Sequence, residues 1–140
     1  MLGSAEASKV LTASAELKAL LTEVRGADDP LGGIYIGSPG FDNSTDLQIV
    51  ALSPWVRITD LPGDNHEPAD DDRFIEYPRV QIDFWTRKSL MQETSAIDDL
   101  IRQVMHANGW DRTYHASGED NSVPTLRMTT AYFQSQGLPV

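Results

Sequence analysis

The sequence contains no cysteine, so it has neither a disulfide framework nor a thiolate ligand for a zinc ion. It also lacks a long apolar run, since none approaches the roughly 20 residues that a membrane-spanning helix needs. Its first residues, "MLGSAEASKV", do not follow the basic-then-apolar layout of a signal peptide. These absences predict a protein made in a reducing cytoplasm, with no membrane partner.

Basic residues are few: 11 Lys and Arg stand against 21 Asp and Glu, and the formal net charge is −10. A surface with so few cations argues against specific binding of nucleic acid through its phosphates. The acidic residues are concentrated, because the segment from Asp60 to Glu76 contains seven acids and one base. Two prolines, one glycine and little to bury predict that residues 60–73 form an acidic loop within one domain covering 1–140.

Motifs that carry catalysis are also missing. The glycines at 32, 33, 37 and 40 fit neither a dinucleotide-binding nor a P-loop spacing, and "GSPG" is not a nucleophile elbow. The three histidines form no pair at a metal-ligand spacing. We therefore predict no enzyme activity, no catalytic residue and no cofactor.

One alternative uses the acidic segment. His66 together with Asp64, Glu67, Asp70 and Asp72 could coordinate a hard cation, although the segment lacks the alternating ligands and central glycine of an EF-hand. The competing interpretation is a solvated loop without a metal. A small divalent-metal-binding domain or enzyme thus stays open as a function of another class.

Hydrophobic periodicity predicts an α+β fold, a mainly antiparallel sheet with two helices packed on one face, in the order α-β-β-β-α-β-β. An apolar stripe predicts a first helix over 5–25, and Ser89 with Gln92 predicts a capping box that opens a second helix. The predicted strands are "IYIG", "LQIVALSPWVRITDL" interrupted at Pro54, a strand over 74–86, and a closing hairpin formed by "RTYHAS" and "TLRMTTAYF".

The stretch "YPRVQIDFWTRK" alternates most regularly, with Val80, Ile82 and Phe84 on the side that faces the core. The opposite side carries a tryptophan among charges and ends in a basic pair. Trp85 either covers the second face of the sheet within one chain or contacts another subunit, since aromatic residues are enriched at interfaces. The candidate interface residues are Arg79, Asp83, Trp85, Arg87 and Lys88.

The order of these elements, with "PWVRITDL", the acidic segment, "YPRVQIDFWTRK" and "TLRMTTAYF", resembles the tail terminators and related minor tail proteins of long-tailed phages and prophages. The resemblance spans nearly the whole chain. It implies a structural virion assembly protein whose subunits form a ring, usually sixfold, that caps the finished tail tube in the bacterial host cytoplasm. The implied partners are other copies of the chain, the major tail (tube) protein and the head–tail connector proteins; a connector of the neck is the alternative role.

A ring of identical subunits needs heterologous contacts that close, and an open sheet face is a natural place for them. The acidic residues Asp64, Glu67, Asp70, Asp71 and Asp72 then have two possible roles. They line the channel and repel the phosphates of passing DNA, or they order when they dock on a partner.

Overall fold

The computed structural model describes residues 2–27, 29, 32–37, 46–69, 72–120 and 122–139. For 46–48, 63–69, 72–76, 138 and 139 the description covers the backbone alone. The elements, in chain order, are α1 (Gly3–Thr12), α2 (Ala15–Arg25), β1 (Ile34–Ile36), α3 (Asp46–Leu52), β2 (Trp55–Ala69), β3 (Asp72–Arg87), α4 (Met91–Ala107), β4 (Trp110–Glu119), β5 (Leu126–Ser135) and β6 (Leu138–Pro139).

The strands form one sheet in the spatial order β1-β2-β3-β5-β4, with β6 pairing to β3 beside this path. Among the described strands, only β1 is parallel to its neighbour, and the other pairings are antiparallel. The predicted α+β class with a mainly antiparallel sheet is therefore confirmed. The predicted closing hairpin is the β4–β5 pair, and the predicted strand over 74–86 is β3.

The main core lies between the sheet and the helices α1, α2 and α4. Alternate residues of β2 and β3 point to this side because side chains of a strand alternate between faces. The cluster is fully or nearly fully buried and comprises, among others, Leu11, Leu17, Leu21, Val56, Ile58, Val80, Ile82, Phe84, Ile97, Met105, Trp110 and Phe133. Burial of aliphatic and aromatic side chains on this scale is the principal driving force for the fold.

The helix predicted over 5–25 is divided into α1 and α2 at Ala13 and Ser14. Ser14 lies within the predicted helix, but its hydroxyl accepts a hydrogen bond from the Leu17 amide at 3.1 Å and caps α2. Serine is among the best N-cap residues, so the cap begins a new helix where the stripe alone predicts one continuous helix. Gly26 ends α2 with φ of 80°, as glycine permits.

The N-terminus of α1 is held by a carboxylate from the sheet. Asp60 on β2 accepts from the Ser4 amide at 2.8 Å and from the Ser4 hydroxyl at 2.6 Å. The residue before α1, Leu2, offers no side-chain cap. A carboxylate at this end satisfies a free amide and complements the helix dipole, so Asp60 fixes α1 against the sheet.

The segment "LQIVAL", predicted as a strand, lies largely in the helix α3. A short apolar run of this length does not distinguish a strand from a buried helix, and here tertiary contacts decide. Ile49 and Val50 pack against a second hydrophobic cluster on the side of the sheet away from α1, α2 and α4. The sheet is therefore covered on both faces at this end.

The acidic segment predicted as a loop over 60–73 is mostly strand. Residues 65–69 of β2 pair with 72–77 of β3, after an irregularity between Leu61 and Asn65. We name these two paired stretches the arm. The residues of the arm have low strand propensity. They form strands because β2 and β3 are already paired in the sheet, and the same pairing extends into the arm.

The helix predicted after Ser89 is α4, and its buried residues include Ile97, Ile101 and Met105. The predicted capping box is wrong, because the N-cap position is Leu90 and no side chain caps it. Instead, the Thr94 hydroxyl donates to the Leu90 carbonyl at 2.6 Å. No helix among the described residues is long and apolar enough to span a membrane.

Candidate interaction surface

The side of the sheet away from the main core, which we call the second face, is closed at one end by a tryptophan pair. Trp55 and Trp85 are directly opposite each other on β2 and β3, and their rings stack with centroids 3.9 Å apart. Both side chains are buried, at 6% and 4% exposure. Val123 and Leu126 complete this cluster, with Tyr35, Ile49, Val50 and Met128 packed against it.

The loop after β4 fastens the tryptophan pair. The Trp85 indole Nε1 donates to the Asp120 carboxylate at 2.6 Å. The other oxygen of Asp120 accepts from the amides of Ser122 and Val123 at 2.7 and 3.1 Å. A buried indole N–H usually finds such a partner, and here the same carboxylate also shapes the loop that covers it.

Asp83 lies beside this pair and is fully buried. Its carboxylate accepts from Arg57 at 2.8 and 3.2 Å, from the Gln81 amide at 3.0 and 3.1 Å, and from the Thr130 hydroxyl at 2.7 Å. The Arg57 guanidinium also lies 4.8 Å from the centroid of the Trp85 ring. A buried charge is tolerated when it is paired and hydrogen-bonded in this way.

These positions correct one sequence-based expectation. Asp83 and Trp85 were predicted as interface residues, but the chain itself buries both. Of the two interpretations of Trp85, the one in which it covers the second face within a single chain matches its position. The physical reason is that α3 and the loop residues 120, 122 and 123 reach the second face, which a sheet with helices on one side alone would leave uncovered.

The rest of the second face is accessible. Tyr132 lies opposite Gln81 and Tyr114 lies opposite Tyr132, so three adjacent strands contribute to one surface. The two tyrosine rings contact at a centroid distance of 4.7 Å, and Tyr114 is 49% exposed. We name the set of Arg57, Arg79, Gln81, Tyr114 and Tyr132 the open face. Its two guanidinium groups carry two positive charges, and the buried Asp83 carboxylate beside them carries one negative charge.

Arg79 is the predicted interface residue that lies on the open face. Its guanidinium donates to the Pro62 carbonyl at 3.3 Å and is half-buried. Sequence analysis missed Arg57, Tyr114 and Tyr132 because their proximity depends on strand register. The alternation in β3 predicted the face, but not which residues of β2, β4 and β5 lie beside it.

Arg87 and Lys88 lie at the far end of β3 from the arm. The Lys88 ammonium donates to Glu119 at 2.7 Å, with both side chains exposed, and this hydrogen bond lowers the pKa of the Glu119 carboxyl. A shallow depression of about 440 Å³ lies between Val50, Arg87, Lys88, Ser89 and Thr125. The basic pair therefore borders the covered end of the second face and does not meet Arg79.

Of the predicted acidic residues, Glu67 and Asp72 have their backbone in the arm. The backbone of Asp64 lies in β2, in the irregularity that precedes the arm, and Asp70 and Asp71 lie outside the described residues. Within the part of the chain that the structure describes, no group of three or more histidine, aspartate or glutamate residues is arranged to hold a metal ion.

No protein-family model matches the sequence, and no curated protein sequence matches it. Among solved structures, the fold is similar to that of a chain in the virion of a native gene transfer agent (GTA) particle. The TM-score is 0.61 at 14% sequence identity, and the alignment covers 97% of this chain and 94% of that chain. At this identity the likeness establishes that the two chains share a fold.

Proposed function

We propose that this protein is a structural component of a phage-like particle, and specifically a ring-forming tail terminator that caps the tail tube and joins it to the head. The observation that carries the proposal is the similarity of fold to a chain of the gene transfer agent virion over nearly the full length of both chains. The order of elements and strand patterns that resemble tail terminators support the same role.

The surface of the chain is consistent with assembly. The open face presents two tyrosine rings and two guanidinium groups on a rigid sheet, a combination enriched at protein interfaces. Heterologous contacts between this surface and a different part of the next subunit generate a ring when the rotation closes. The proposal requires no catalytic chemistry and no cofactor.

Within this proposal the predicted interface residues have different roles. Arg79, Arg87 and Lys88 are accessible and contact a neighbouring subunit or the tube directly. Asp83 and Trp85 do not contact the neighbour themselves but position Arg57. Asp83 accepts hydrogen bonds from the Arg57 guanidinium, and the Trp85 ring packs against it. The predicted acidic residues, Asp64, Glu67, Asp70, Asp71 and Asp72, line the channel or dock on a partner.

The proposal is tested by size-exclusion chromatography with multi-angle light scattering over a wide range of protein concentration, without and with purified tail tubes. We expect one discrete oligomer whose mass is a fixed multiple of the 15.5 kDa chain, or its formation on the tube ends. A chain that stays monomeric at all concentrations and does not bind tubes would contradict the proposal. Binding to the portal side of the neck without binding to tubes would indicate a connector instead.

A further inference from the structure

The arm extends beyond the rest of the sheet. Pairing of β3 with β5 ends at Arg79 and Gln134, whereas pairing of β2 with β3 continues to Ala69 and Asp72. Among the described residues, only the two residues of β6 pair with the arm, at positions 75 and 76. At about 3.3 Å per residue, the six residues from 72 to 77 reach about 20 Å.

Two properties of the arm favour its binding to another surface. A two-stranded ribbon is marginally stable alone in water and gains stability when it lies on another surface. The sequence in and around the arm also concentrates negative charge, since residues 64–73 contain Asp64, Glu67 and the run Asp70 to Asp72 against the single base Arg73. A cationic surface would relieve the repulsion among these carboxylates.

The open face provides both a surface on which the arm can lie and positive charge. Arg57 is 31% exposed at its side chain, and its charge is shared with one buried carboxylate, while the Arg79 guanidinium donates to a backbone carbonyl, which carries no opposite charge. The adjacent rings of Tyr114 and Tyr132 add aromatic area on which a second chain can pack. The charges of the two surfaces are complementary.

The arm does not reach the open face of its own chain. β2 and β3 form part of that face and continue directly into the arm, so the arm leads away from it in the plane of the sheet. A second copy is able to bring its open face to the arm. We propose that the arm of one subunit lies on the open face of the next, and that this heterologous contact, repeated around the ring, closes it; the inference rests on the proposed function.

The absence of cysteine makes the contact testable, because every introduced thiol is unique. One preparation carries Tyr114→Cys, and a second, larger tagged preparation carries either His66→Cys or Glu67→Cys. Two arm positions are used because neighbouring residues of a strand point to opposite sides. The matched control replaces Tyr114→Cys with Arg102→Cys, an exposed position on α4, on the other side of the sheet.

After mixing, assembly and mild oxidation, we expect one of the two arm positions to form the mixed disulfide with position 114. Its yield should exceed that of the control by about tenfold or more, because docking raises the effective thiol concentration toward the millimolar range. A chain that carries both changes should give a ladder that ends at the subunit number of the ring. A yield equal to the control for both arm positions, or closure within one chain, would overturn the inference.

Charge reversal provides a second readout. Arg79→Glu should raise the concentration for half-assembly by about tenfold or more, since like charges then face each other, while Arg102→Glu should not. Adding Glu67→Lys and Asp72→Lys to the Arg79→Glu chain should restore assembly. Rings that form normally in every variant would refute the arm contact and leave the proposed function standing, whereas a wild-type chain that never assembles, with or without tubes, would refute the proposed function itself.

Discussion

Replacement of Asp83 by alanine tests the organisation of the second face. The carboxylate accepts from three side chains, Arg57, Gln81 and Thr130, and has no exposed area. Breaking a buried ion pair costs about 3–5 kcal/mol, and each neutral hydrogen bond lost costs about 1 kcal/mol. The Arg57 side chain is 31% exposed and can rehydrate, so the expected loss lies near the lower limit, at about 3 kcal/mol.

The assay is urea unfolding of wild type and of Asp83→Ala, with the slope of the transition compared to verify two-state behaviour. The matched control is Glu119→Ala, which removes an exposed carboxylate whose bond to Lys88 lies on the surface. This control should change the free energy of unfolding very little, because solvent screens an exposed ion pair. A double-mutant cycle with Arg57→Ala should give a coupling of about 1–3 kcal/mol.

The result that would refute this reasoning is a loss in Asp83→Ala no larger than that in Glu119→Ala. It would mean that Asp83 is hydrated and that Arg57 is not held by it. The open face would then lack the fixed guanidinium on which the proposed subunit contact depends.

Three further predictions concern the fold. Trp85→Ala should lower the free energy of unfolding by about 3–5 kcal/mol, and Trp85→Phe by about 1–2 kcal/mol, in the same unfolding assay; a change below about 1 kcal/mol for the alanine variant would contradict burial. Gly3→Ala should cost about 1–3 kcal/mol because its Cβ would lie 2.9 Å from the Cβ of Pro78, whereas Gly118→Ala, with no atom within 4 Å, should be nearly neutral; equal thermal stabilities would contradict this packing. Burial raises the pKa of Tyr35 to about 12 from the usual 10.0, so its contribution to stability is present below pH 10.0 and is lost as the pH rises toward 12. Tyr35→Phe should be less stable than wild type at about pH 9 and should approach it above about pH 11, and a constant difference would contradict the assignment.

Strand β3 and helix α4 were predictable because each has a single regular period. Val80, Ile82 and Phe84 alternate without interruption, and the apolar residues of α4 recur at helical spacing, so local pattern and tertiary burial agree. The left-handed residue after α4 is Gly109, with φ of 85°, where the dipeptide Asn-Gly predicts such a cap. Because the local hydrophobic pattern and the tertiary burial agree, these elements can be predicted from the sequence.

The errors arose where local signals were weak or in conflict. "LQIVAL" fits a strand and a helix equally well, and contact with the tryptophan pair selects the helix. The arm has prolines and many acids, which favour a loop locally, but it continues two long paired strands. In both places tertiary context outweighs propensity.

The candidate surface was predictable only in part. The alternation placed Arg79, Asp83 and Trp85 on one face correctly, since all three belong to the second face. It did not predict that α3 and the loop residues 120, 122 and 123 cover one end of that face. The alternation also does not predict how the strands are aligned with one another. That alignment places Arg57 beside Asp83 and Tyr114 beside Tyr132.

The mass of the assembled protein tests the central claim most directly. Light scattering of the wild-type chain across concentration, alone and with tail tubes, should show a discrete closed oligomer of the 15.5 kDa subunit, with no larger open polymers. The account would be contradicted if the chain stayed monomeric and did not bind tail tubes at any concentration tested.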